Sequence, residues 1–173
     1  MRTKIVLTIF VVIGLAATFF LGHYKKNRLP GGITIDRIIL EKSKRELSIF
    51  RSGKKLKTYR VALGRNPIGA KQEEGDKKTP EGIYTIDGRK DDNDYHLALH
   101  ISYPSPDDVA RAAERGVAAG SDIEIHGLPN GQGAIGVGHR LLDWTAGCIA
   151  VTDEEIEELW RVTPVGTAIE MRP

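Results

Sequence analysis

Cys148 is the single cysteine of a 173-residue chain, and it stands directly after Ala146-Gly147 and before the apolar run Ile149-Ala150-Val151. Small residues ahead of a thiol let backbone amides approach a reacting carbonyl, so Gly147 and Cys148 are candidate donors to an oxyanion. A thiol titrating at about 8.5 is only partly ionised at neutral pH and needs a basic or cationic neighbour to act as a thiolate nucleophile. His126 is the candidate base, because it ends the run Ile123-Glu124-Ile125 and precedes Gly127, where a strand opens into a loop and displays its last side chain. Sequence separation says nothing about distance in space, and a buried inert cysteine is the plain alternative. Zinc held by His126, His139 and Cys148 would use suitable ligand types. The close ligand pairing of such sites is missing, so neither a metal nor a cofactor is expected.

The elements that position these residues read as a mainly β domain over residues 33–173. Residues 37–41, 47–50 and 58–63 are short apolar or alternating runs separated by charged and Gly-containing turns, the pattern of an antiparallel meander. Residues 64–82 mix Gly, Pro and charge without a period and predict a long loop, with solvated Lys and Glu, that could gate a cleft. Strands follow at 83–86 and at 95–101, whose alternation sets His96 and His100 on one face. Further strands are expected at 122–125, 134–137 and 168–171. Ser105-Pro106-Asp107-Asp108 starts a short helix that Gly116 stops, and Thr152-x-x-Glu155 starts a second that Pro164 stops. The expectation is thus a mixed sheet with two short helices.

Composition narrows the setting. Twenty-five Lys and Arg against 23 Asp and Glu leave a net charge of +2, which gives no general footprint for nucleic acid. Residues 5–22 form an uncharged, mainly apolar run flanked by Arg2 and Lys4 and by Lys25, Lys26 and Arg28. A span needs roughly 17–25 such residues, so residues 1–24 read as a transmembrane helix that anchors the chain in the bilayer, with 25–32 as a short linker. Bulky Phe19, Phe20 and Leu21 follow Ala16-Ala17, which favours an uncleaved anchor over a signal peptide. Basic residues on both sides leave orientation open on charge alone.

Several motifs occur in a specific order: 38–47, IILEKSKREL; Gly64; 75–84, GDKKTPEGIY; 101–104, ISYP; 125–127, IHG; and 143–151, DWTAGCIAV. Together they resemble the YkuD-type L,D-transpeptidases over nearly all of residues 33–173. The resemblance implies a β-sandwich domain in the cell envelope, on the outer side of the cytoplasmic membrane or in the periplasm, acting on peptidoglycan stem peptides as donor and acceptor. It implies that Cys148 attacks the L-centre carbonyl of the third stem residue, expels D-alanine and passes the acyl group to an amine. His126 maps onto the base, and the Gly127 carbonyl onto the group that orients it. Carbapenems are implied as acylating inhibitors.

Two positions depart from the commonest form of the family motif: Ala146 and Ala150 stand where His and Arg are frequent, as in a subset with the Asp-Trp-Thr-x-Gly-Cys form. Arg140 and His139, between base and nucleophile, are candidates to bind a stem carboxylate in compensation. Tyr103 and His100 belong to the strand region implied to border the cleft, and Trp144 is a candidate wall aromatic. The competing readings are hydrolysis through the same thioester, as an L,D-carboxypeptidase or amidase, and a non-catalytic wall-binding module.

Overall fold

Apolar residues at alternate positions zip the first strands together. Ile38 and Leu40 of β1 (Arg37–Glu41) face Ile49 and Leu47 of β2 (Glu46–Arg51) in antiparallel register, and all four are fully buried. β3 (Lys54–Arg60) returns antiparallel to β2 and completes the expected meander. β1 pairs on its other edge with β8 (Ala168–Arg172), in parallel, and β8 pairs antiparallel with β4 (Gly82–Lys90). This computed structural model describes residues 28–91 and 94–173. The expected anchor over 1–24 lies outside the described residues, among which no helix is long and apolar enough to cross a membrane.

The second half of the sheet is built from shorter pieces. β4 pairs antiparallel with β5 (Ala98–Ile101) across a register shift between Ile86 and Gly88, β5 with β6 (Glu124–His126), and β6 in parallel with β7 (Ile149–Ala150). The strand order is therefore β3-β2-β1-β8-β4-β5-β6-β7. A bulge of that kind bends and twists a strand, and the sheet curls until its ends meet. Beyond β3, Ala62 exchanges backbone hydrogen bonds with Ala150 at 3.0 and 2.8 Å, and Thr145 donates to Leu63 at 3.1 Å. The mixed sheet is thus one curled sheet whose ends are joined by isolated bridges, where the resemblance implied a sandwich.

Two α-helices pack on this frame. α1 (Pro106–Glu114) and α2 (Asp153–Val162) each begin with a reciprocal capping box, Ser105 with Asp108 and Thr152 with Glu155. Ile156, Leu159 and Val162 bury one face of α2, which lies against β5 and β6. Residues 134–137, expected as a strand, lie instead in a 3-10 segment, Gly133–Leu141. Glycines at 131, 133, 136 and 138 remove the side chains a ladder needs, and Ile135 and Val137 both face solvent, so no sheet face holds them.

The long loop after β3 keeps Glu73, Glu74 and Lys77 exposed, as expected, but it is also stapled to the frame. Lys42, 2% exposed, donates to the carbonyls of Gly69 (2.6 Å) and Thr79 (2.9 Å) and pairs with Glu81 (2.8 Å). Buried Lys71 pairs with Asp76 at 2.9 Å, and the same carboxylate accepts from the Gln72 and Lys78 amides.

Candidate active site

His126 occupies the last position of β6 and is 2% exposed. Its Nδ1 lies 2.7 Å from the Gly127 carbonyl, and only a protonated Nδ1 can donate to a carbonyl. In the neutral ring Nε2 is therefore the acceptor. Gly127 is required by close packing: a Cβ there would lie 2.8 Å from an Asp153 carboxylate oxygen and 3.0 Å from Ile156. That carboxylate in turn accepts from the Leu128 amide at 2.8 Å, so the start of α2 fixes the carbonyl that orients the imidazole. Burial holds the His126 pKa below the ordinary imidazole value, against the opposing pull of the Gly127 carbonyl and Glu124.

Cys148 sits one residue before β7. The parallel register pairs Ile125 with Ile149 and His126 with Ala150, so continuing it one step back sets Cys148 beside Glu124, a diagonal step from His126. The turn that delivers it is tightly specified. Thr145 Oγ1 donates to the Cys148 carbonyl (2.7 Å) and accepts from the Gly147 amide (3.1 Å). Gly147 has φ +143°, and a Cβ on it would lie 2.8 Å from the Lys78 carbonyl. The stapled loop therefore packs directly behind the Cys148 turn, a relation that its mixed composition did not announce. The Gly147 amide, an expected oxyanion donor, is engaged by Thr145 in this arrangement.

The thiol is half-buried and donates to the Asp122 carbonyl at 3.4 Å, while His126 keeps its own bond to Gly127. Burial pushes the thiol up to about 11; the Glu124 amide opposes the rise, and the charges of Glu124 and Asp122 add to it. Burial thus holds the thiol toward its protonated form and the imidazole toward its neutral form.

The other candidates divide. Trp144 lies on the site: its ring meets His126 edge-on at 5.7 Å, and its Nε1 donates to His139 Nδ1 at 3.4 Å. His139 is 8% exposed, and burial and neighbouring Arg140 pull it down to about 4. Arg140 pairs with Glu155, the carboxylate that also caps α2, so its charge is already met. His100 pairs with Asp87 at 2.6 Å and lies 3.8 Å from the Asp122 carboxylate, which places it on the sulfur's side of the site. Tyr103 is not brought to the cleft: it is buried against Tyr84, and its hydroxyl donates to the Ala119 carbonyl at 2.9 Å. His96 does not share a strand face with His100, because a φ of +58° takes it out of β5 and toward Glu157, 3.2 Å away.

One residue of the site escaped the sequence reading. Tyr95 stacks on His126 with ring centroids 4.3 Å apart. Its position at the start of the alternating stretch is the one signal that could have marked it. Among the described residues no group of three His, Cys, Asp or Glu is placed to hold a metal ion.

A curled mixed sheet with these short helices is the architecture of an L,D-transpeptidase-like catalytic domain. The profile of the YkuD family, described as the L,D-transpeptidase catalytic domain, matches residues 35–171, and the chain belongs to that family. YqjB of Bacillus subtilis (strain 168), which carries an L,D-transpeptidase name, is 30% identical over 145 residues, covering 83% of this chain and 73% of YqjB. The helical cell shape determining protein Pgp2 of Campylobacter jejuni shares the fold at a TM-score of 0.61 and 24% identity, over 82% of this chain and 48% of Pgp2. The L,D-transpeptidase LdtMt1, solved in complex with imipenem, shares it at 0.51 and 16% identity, over 79% of this chain and 58% of LdtMt1. The chain thus spans about half of Pgp2 and most of YqjB.

Proposed function

We propose that the chain is a peptidoglycan L,D-transpeptidase working outside the cytoplasmic membrane, with Cys148 as nucleophile and His126 as base. The observation that carries this reading is the 2.7 Å contact of His126 Nδ1 with the Gly127 carbonyl, on a strand whose parallel neighbour leads in from Cys148. That bond leaves Nε2 free to accept a proton in a buried setting that keeps the ring neutral.

Sulfur attacks the L-centre carbonyl of the third stem residue, and its proton passes to His126 Nε2 as the C–S bond forms. With the thiol resting high, proton removal accompanies attack, and a turn about the Cys148 side chain carries sulfur from the Asp122 carbonyl toward His126. The Cys148 amide is left as the candidate oxyanion donor, since Thr145 holds that of Gly147. The C–N bond to D-alanine then breaks, and His126 returns the proton to the leaving amine. An acceptor amine attacks the thioester and loses its proton to His126, which passes it to the sulfur as the C–S bond breaks. Water in place of the amine gives hydrolysis.

Purified tetrapeptide stems, followed by mass spectrometry, test the reading. Dimers joined through two third-position residues support transfer. Tripeptides alone assign hydrolysis, and unchanged substrate contradicts any turnover. Imipenem should add to Cys148, as the complex of LdtMt1 suggests for this fold.

A further inference from the structure

We propose that His139 is a positioning residue that acts through Trp144 to hold the His126 ring, an inference that rests on His126 being the base. Three rings meet here. Tyr95 lies 4.3 Å from His126 and tilted 37° to it, Trp144 lies 5.7 Å away on an edge, and Tyr95 and Trp144 are 6.3 Å apart. They clamp the imidazole from two directions, in the orientation that the Gly127 bond requires.

Trp144 has one polar side-chain atom, and it donates to His139 Nδ1. An imidazole that accepts at Nδ1 carries its proton on Nε2, and His139 Nε2 is buried without a hydrogen-bond partner among the described residues. A buried N–H left without an acceptor is unfavourable and calls for an explanation. Space filling does not supply one, since an aliphatic side chain would fill the same volume with no orphaned donor. Accepting the indole N–H does, because only an unprotonated ring nitrogen can do it. The groups that act on this ring electrostatically are Arg140 and His126, which favour its neutral form, and Asp153, which opposes them. Arg140 is turned to Glu155, so the neutral acceptor is left to Trp144.

The test uses the full chain and three variants. His139→Leu and Trp144→Phe each remove the hydrogen bond, and both should lower kcat on tetrapeptide stems by about 10- to 100-fold with KM little changed, as expected for a misplaced base. His139→Gln, whose amide oxygen accepts from Trp144, should recover most of that loss. Nitrogen-15 spectra of the His126 ring give an independent reading: one tautomer, with Nδ1 protonated, in the parent and in His139→Gln, and averaged signals in the other two. If His139→Leu unfolds, Trp144→Phe, which keeps an aromatic ring in place, carries the same comparison. Parent-like kcat and a parent-like His126 spectrum in Trp144→Phe would overturn the proposal, as would a loss that His139→Gln fails to recover. Full activity of His126→Ala would instead remove the base assignment, an outcome distinct from either.

Discussion

The two halves of the curled sheet are built on different rules. In the β3-β2-β1-β8 half, strands of five to seven residues pair in long ladders, and the packing of Ile38, Leu40, Leu47, Ile49 and Ile169 decides the structure. In the β5-β6-β7 half, strands of four, three and two residues are held by side chains that reach the backbone: Thr145 to Gly147 and Cys148, Asp153 to Leu128, and Asp143 to the Leu63 amide at 2.9 Å. The first half is a frame that any well-packed apolar set could make. The second specifies single atoms, and the candidate chemistry sits there.

Substitutions should separate the halves by what they damage. The largest effect is expected from Cys148→Ala, which should abolish stem conversion, a loss on the order of 10⁴-fold or more, with the thermal midpoint nearly unmoved. His126→Ala should follow, at about 10²- to 10⁴-fold in kcat/KM for a lost general base. Gly147→Ala damages both properties. It forces a side chain into a φ of +143° against the Lys78 carbonyl, costing about 1–3 kcal/mol in a denaturant titration and displacing the sulfur. Leu47→Ala, in the frame, should cost about 2–5 kcal/mol of stability while leaving the rate per folded molecule intact. Rates lost in Leu47→Ala without unfolding would break the division between frame and site.

The smallest effects are in pH. Because burial lowers the His126 pKa, the ring stays neutral and able to accept a proton below the pH at which a free histidine charges. The acid limb of kcat/KM should therefore lie below about 6.5. Because burial raises the thiol, iodoacetamide should alkylate the free protein slowly at pH 7 and faster as pH rises toward about 11. Rapid alkylation at neutral pH would show a preformed thiolate.

The same contrast explains what could be read from the sequence. The frame was legible because alternation at 37–41 and 47–50 answers directly to burial, and both capping boxes are local signals. Cys148, His126 and Gly127 were legible as a motif, although no period placed Cys148 beside Glu124; the β6-β7 register did. Residues 134–137 misled because an apolar run carries strand propensity that its flanking glycines cancel. Tyr103 misled because a tyrosine near a cleft strand and one buried between α1 and β4 look the same in one dimension. Within the loop, Glu73, Glu74 and Lys77 are solvated as expected, and Lys71 is the exception because its burial depends on Asp76 in the loop's own turn. Tyr95 had only its place at the start of the alternating stretch to mark it, since an aromatic clamp is a tertiary contact.

Intact-protein mass spectrometry during turnover of tetrapeptide stems tests the account most directly. An acyl adduct equal to the stem minus D-alanine should appear on Cys148, be absent from Cys148→Ala and form slowly in His126→Ala. Turnover with the sulfur never acylated would contradict it.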